Sequence, residues 1–192
     1  MLTLSIDTSA NTASVALARD GAIIGSIRLN AGLTHSQTLL PAVDSLLALT
    51  VVSKKQLDKI AVCVGPGSFT GLRIGVAAAK GLALALGVNV IALSTLNAIA
   101  ASVPQTGGSI FPCIEARRGT VYNAVYDKNL NEITAPRQIL LSEIENENVV
   151  FDTDITAGLA ASAALLAEPL DGINPSEITP FYLRKALEQT DV

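Results

Sequence analysis

Histidine occurs once in these 192 residues and cysteine twice, and these scarcities exclude several chemistries before any motif is considered. With His35 alone, no histidine metal cluster can be built, and a Ser-His-Asp triad would have to run through that one ring. It stands between Thr34 and Ser36 at the start of a helical pattern, where a structural role fits better than catalysis. Cys63 and Cys113 are 50 residues apart in apolar runs and form no C-x-x-C pair. Neither a disulfide framework nor a zinc site is expected, and buried free thiols in a reducing cytosol are. Runs of Lys or Arg are also missing, and a net charge of −4 argues against a broad grip on phosphate backbones. Any RNA would have to be held by another protein.

A positively charged start is lacking too, and Asp7 cuts the opening apolar run far short of a signal sequence. The mean hydropathy of +0.46 raises the question of a membrane, because residues 75–93 are apolar apart from Lys80 and Asn89. Gly75, Gly81, Gly87 and a central lysine interrupt that stretch, and β-branched residues begin at Val88. A buried helix followed by a strand is therefore expected, with no membrane span and a cytoplasmic protein. What is plentiful is apolar side chain, 49% of the total, enough for one substantial domain or two small lobes.

The first half reads as strands at 2–6, 13–18 and 23–29, joined by a polar turn at 8–12 and an Asp20-Gly21 hairpin. The period then changes: Leu39, Leu40, Val43, Leu46 and Leu47 recur at helical spacing over 36–49. A buried strand at 60–64, a helix at 69–86 and a strand at 89–93 complete a β-β-β-α-β-α-β order. After a short helix at 95–103 the pattern restarts, with strands at 110–115 and 121–126, a weaker one at 139–141, and helices at 157–167 and 180–188. Two lobes are expected, 1–94 and a shortened 95–192, the loss falling between 150 and 180.

Two segments can carry chemistry. Asp7-Thr8-Ser9 puts a carboxylate at a strand end beside hydroxyls and turn amides, a group that can hold phosphate and a hydrated cation, although such residues also simply make turns. The loop from Gly65 to Gly75, GPGSFTGLRIG, joins strand to helix; its glycines bring amides close to a ligand or to another chain segment. It is neither a P-loop nor G-x-G-x-x-G. In the following helix Gly71, Gly75 and Ala79 stack at four-residue spacing and almost all other positions are apolar. A helix apolar all round needs cover on every side, from its own lobe or from another subunit, with Arg73 and Lys80 at the rim of such a contact. Glu115-Ala116-Arg117-Arg118-Gly119 forms a turn where paired arginines can meet a carboxylate or simply face solvent.

Five motifs occur together in order: Asp7-Thr8-Ser9; His35-Ser36-Gln37-x-Leu39-Leu40-Pro41; Gly65 to Gly75 with Lys80-Gly81-Leu82-Ala83; Ile114 to Gly119 with Val121-Tyr122; and Pro180-x-Tyr182-Leu183-Arg184. In this the chain resembles the TsaB (YeaZ) family, relatives of TsaD and of peptidase M22-like proteins. The resemblance implies an α/β, two-lobed actin/hexokinase-like (ASKHA, ribonuclease H-like) fold with an abbreviated second lobe. It also implies a non-catalytic scaffold that activates a TsaD-like transferase, which modifies the adenosine beside the anticodon of tRNA. ATP and metal would then belong to the partner subunits, a TsaE-like ATPase among them; tRNA would be met only through the complex, and a homodimer is possible for the chain alone. The pairing surface implied is His35, Leu39, Val43, Leu46, Gly71, Arg73, Gly75, Val76, Ala79 and Lys80, with Asp7, Thr8 and Ser9 a vestigial nucleotide site. The family's catalytic paralogue carries His-x-x-x-His where this chain has Ser94 to Ala98. The alternative is a small phosphoryl-transfer or peptidase-like enzyme of the same fold.

Overall fold

Alternation along the opening strand organises the molecule. In β1 (Leu2–Asp7) Leu2, Leu4 and Ile6 fall on one face and Thr3, Ser5 and Asp7 on the other, and all six are buried, so both faces of the sheet must be covered. The computed structural model describes residues 1–30, 34–104, 108–144, 149–151 and 158–183. In it β1 pairs antiparallel with β2 (Ala13–Arg19), which pairs with β3 (Ala22–Leu29). On its other side β1 runs parallel to β4 (Lys59–Gly65), followed by β5 (Asn89–Ser94), for a sheet order β3-β2-β1-β4-β5.

Helices α1 (His35–Leu49) and α2 (Phe69–Leu86) cover the leucine face. Leu4, Ile6, Val15, Leu17, Ile60, Val62 and Val90 from the strands pack there with Leu39, Val43, Leu46, Val76 and Ala79 from the helices. Each of the leucine, isoleucine and valine side chains contributes about 1.5–3 kcal/mol on full burial. Helices α3 (Thr95–Ala101) and α4 (Leu159–Ala167) cover the opposite face and form a middle layer. On their far side lies a second sheet of β6 (Phe111–Glu115), β7 (Thr120–Tyr126), β8 (Glu132–Leu140) and β9 (Val149–Phe151), ordered β8-β7-β6-β9. Cys63, Ile91 and Leu93, then Leu96, Ile99 and Ala163, then Ile114, Ala124 and Tyr126 make one continuous core across these three layers.

Three expectations change. The third strand of the second sheet is nine residues long, not the three at 139–141; Pro136 and the alternating polar positions hide it, yet both suit a sheet edge. The helix placed at 157–167 spans Leu159–Ala167 and lies on the first sheet against Ala16 and Ala18. Its alanines allow that close approach, and sheet side chains hold both its ends. Ser14 Oγ accepts from the Ala160 amide at 3.1 Å, and the buried Lys59 ammonium donates to the carbonyls of Ala167, Glu168 and Leu170 at 3.0, 2.7 and 2.6 Å. A cation at a helix C-terminus satisfies carbonyls that the helix itself leaves open. Finally, the helix expected at 180–188 is irregular over 180–183, and the rest of it lies outside the described residues.

Candidate functional site

In open α/β sheets ligands gather at the carboxyl ends of the strands, here Asp7, Gly65 and Ser94. The chain's own loop fills that space. Asp7, Thr8 and Ser9 are 1%, 0% and 1% exposed. The Ser9 amide and hydroxyl both donate to Asp7 Oδ1, at 3.1 and 2.6 Å, so the turn is bound to its own carboxylate. Thr8 Oγ1 donates to the Gly71 carbonyl at 2.7 Å, and the Ser68 amide donates to the Ser9 carbonyl at 2.7 Å. His35 fastens the far end: its Nε2 lies 2.9 Å from the Ala10 carbonyl, which can only accept, so this nitrogen carries the proton. A shallow concavity of about 320 Å³, lined by Met1, Asp58, Lys59, Asn89 and Asp171, opens at the opposite end of the strands. Among the described residues no three His, Cys, Asp or Glu side chains come together as metal ligands.

The helix after the loop explains its own glycines. Ser68 caps it by accepting from the Gly71 amide at 3.2 Å, and Gly87, in the left-handed conformation, ends it. A methyl group added at Gly71 would collide with the Thr8 carbonyl oxygen, and one at Gly75 with Thr8 Oγ1. The small-residue row of α2 is thus a seat for the Asp7–Ser9 turn, not a contact for another chain.

Most of the residues of the pairing surface drawn from sequence are buried within the chain itself. Leu39, Val43, Leu46, Val76 and Ala79 are at most 4% exposed in the chain's own core, and Gly71 and Gly75 are buried under the turn. His35 is half-buried and engaged with Ala10. Arg73 and Lys80 do reach the surface side of α2, but both hold the chain's own C-terminal strap. Arg73 Nε donates to the Tyr182 hydroxyl at 2.9 Å, and Lys80 Nζ donates to the Ser176 carbonyl at 3.0 Å.

The strap covers one flank of α2 and the β5 edge. Ile173 and Val90 exchange amide hydrogen bonds of 2.8 and 3.0 Å, Ile178 enters the core, and the Phe181 amide donates to the Val64 carbonyl at 2.7 Å. Beside the strap, one stripe of α2 stays open: Thr70, Arg73, Ala77, Gly81 and Leu84, with Leu84 59% exposed. A methyl group added at Gly81 would meet nothing within 4 Å. On α1 the large exposed apolar residues are Leu40 at 47% and Leu49 at 78%. Of the α2 residues named from sequence, Gly71, Gly75, Val76 and Ala79 are buried, and only Arg73 lies on the open stripe. By length and composition α2 is also apolar enough to cross a bilayer, but it packs through Val76, Ala79 and Ala83 on the first sheet.

Burial raises the Cys63 thiol well above its ordinary 9.0, and the charge of Asp7 and the hydrogen bond to it add to the rise. The folded chain therefore keeps a proton that the unfolded chain releases as pH passes about 9. Stability from this group is full below that pH and declines above it, by about 1.4 kcal/mol per pH unit. Urea denaturation at pH 8 to 10 should show the decline, and Cys63→Ala should flatten it; an unchanged slope in the variant contradicts the assignment.

A family model described as "TsaD: tRNA N6-adenosine threonylcarbamoyltransferase" matches residues 27–146. A Bacillus subtilis protein, "tRNA threonylcarbamoyladenosine biosynthesis protein TsaB", is 39% identical over 146 residues, covering 74% of this chain and 64% of its own length. An Escherichia coli protein of the same name is 38% identical over 135 residues, covering 69% of this chain and 58% of its own length. The matched region is thus less than two thirds of each of these relatives. Among solved structures, "YeaZ from Pseudomonas aeruginosa" superimposes with a TM-score of 0.81 at 25% identity, covering 95% of this chain and 99% of that one. From the five-stranded sheet with its glycine loop, the YeaZ superposition and these sequence identities, the chain belongs to the TsaB (YeaZ) family and has the two-lobed ASKHA fold.

Proposed function

We propose that the chain is a non-catalytic subunit that pairs with a TsaD-like transferase and supports threonylcarbamoyl transfer to the adenosine beside the anticodon of tRNA. The observation that carries this reading is the pairing of a filled ligand position with an open helix stripe. The place where this fold takes a ligand is occupied by Gly67, Ser68 and Gly71 packed on Thr8 and Ser9. The adjacent α2 meanwhile presents Ala77, Gly81 and Leu84 to the surface without polar cover. Small residues let a second helix approach closely, and the apolar edge supplies the association energy. The TsaB relatives, named for tRNA threonylcarbamoyladenosine biosynthesis, support the tRNA substrate class.

In this reading ATP and metal are held by partner subunits, including a TsaE-like ATPase, and tRNA is met only through the complex. The isolated chain pairs with its own copy through the same stripe, as two-fold symmetry allows. Light scattering on this chain, on the TsaD-like paralogue of the same genome and on their mixture tests it. A new one-to-one species is expected; unchanged separate species would overturn the proposal.

A further inference from the structure

Arg73 lies at the edge of the open α2 stripe and is braced on two sides. Its guanidinium carbon sits 3.8 Å from the Phe69 ring centroid and 5.9 Å from that of Tyr182, the two rings being 5.0 Å apart and tilted by 35°. Nε donates to the Tyr182 hydroxyl at 2.9 Å. Among the described residues no carboxylate pairs with it; the ion pairs found there join Lys54 to Asp44 and the Met1 amine to Asp20. The guanidinium is planar, and its terminal amino groups form a fork that matches a carboxylate in two parallel hydrogen bonds. Stacking and the Nε bond fix the plane of that fork beforehand, which reduces the entropy lost when a partner arrives.

We propose that Arg73, positioned by Phe69 and by Tyr182 of the C-terminal strap, is the receptor for a carboxylate of the paralogue docked on α2. This rests on the pairing reading above. A protein carboxylate fits better than a nucleic-acid phosphate. The flank next to Arg73 is Ala77, Gly81 and Leu84, Lys80 on the same flank is committed to the Ser176 carbonyl, and the chain carries a net charge of −4. An exposed ion pair is weak, but one at the border of an apolar contact is shielded from water and discriminates between partners.

Affinity of the full chain for the paralogue, measured by calorimetry at low and at high salt, is the test. Arg73→Met and Arg73→Lys should each weaken pairing at least tenfold, because lysine cannot form the fork, with circular dichroism unchanged. Tyr182→Phe should weaken it several-fold in the wild-type background and not at all on top of Arg73→Met, the mark of a positioning residue. If Arg73→Met binds like the wild type while Ala77→Asp abolishes pairing, the receptor is wrong and the pairing surface stands. If the wild type does not pair, both fall. Loss of tRNA binding by the isolated chain on Arg73→Met, with pairing intact, would assign the fork to a phosphate and overturn the proposal.

Discussion

Gly71→Val should unfold the protein or leave it barely stable. The first added carbon already overlaps the Thr8 carbonyl oxygen, a backbone atom held in place by the Ser9–Asp7 and Ser68–Ser9 hydrogen bonds. Neither side can yield without opening the turn or lifting the first turn of α2 from the sheet, and lifting it also breaks the Thr8 to Gly71 bond. Overpacking usually costs about 1–3 kcal/mol; against rigid backbone about 4 kcal/mol or more is expected, a large part of the roughly 5–15 kcal/mol that holds a domain together. Gly81→Ala on the same helix is the control. Its new methyl group meets nothing within 4 Å, so better helix propensity should raise stability by about 0.5–1 kcal/mol. Urea denaturation of the two variants separates the cases; wild-type stability in Gly71→Val would contradict the seat described for the turn.

Ala77→Asp and Val76→Asp, adjacent in sequence, should fail in opposite ways. Ala77 is on the open stripe, so aspartate there is solvated in the free chain, costs little, and puts a charge into any contact made by that face. Pairing should be lost while folding is intact. Val76 is 4% exposed against the first sheet, and an uncompensated carboxylate there should destabilise the fold by several kcal/mol, about 3 or more. Loss of pairing in Val76→Asp therefore says nothing about a surface. Equal stability of the two variants would contradict the facing of α2 described here.

The helix Phe69–Leu86 was legible residue for residue, because Ser68 and Gly87 mark its ends and eighteen residues between them lack a breaker stronger than glycine. Which way it faces was not legible. A helix apolar on nearly every side carries no phase in its sequence, and the row Gly71, Gly75, Ala79 suits an intramolecular seat as well as a partner. What decides is Thr8, more than sixty residues earlier, whose turn occupies that row. Lys59 as a cap of α4, and Tyr182 as a brace for Arg73, depend likewise on contacts more than a hundred residues apart in the chain, beyond any local pattern. The buried strands of the first sheet declared themselves by β-branched and leucine-rich runs, whereas the edge strand β8 did not, since half of its side chains face solvent and one is Pro136.

The proposed function has this chain act by docking on another protein and not by chemistry of its own. The most direct measurement is threonylcarbamoyl transfer to tRNA by the TsaD-like paralogue and its ATPase, with this chain added, omitted, or added as Ala77→Asp. Transfer should rise with the wild-type chain and stay at the level without it for the folded variant. Equal stimulation by Ala77→Asp, or saturable ATP turnover by the chain alone that disappears with Asp7→Ala, would contradict the account.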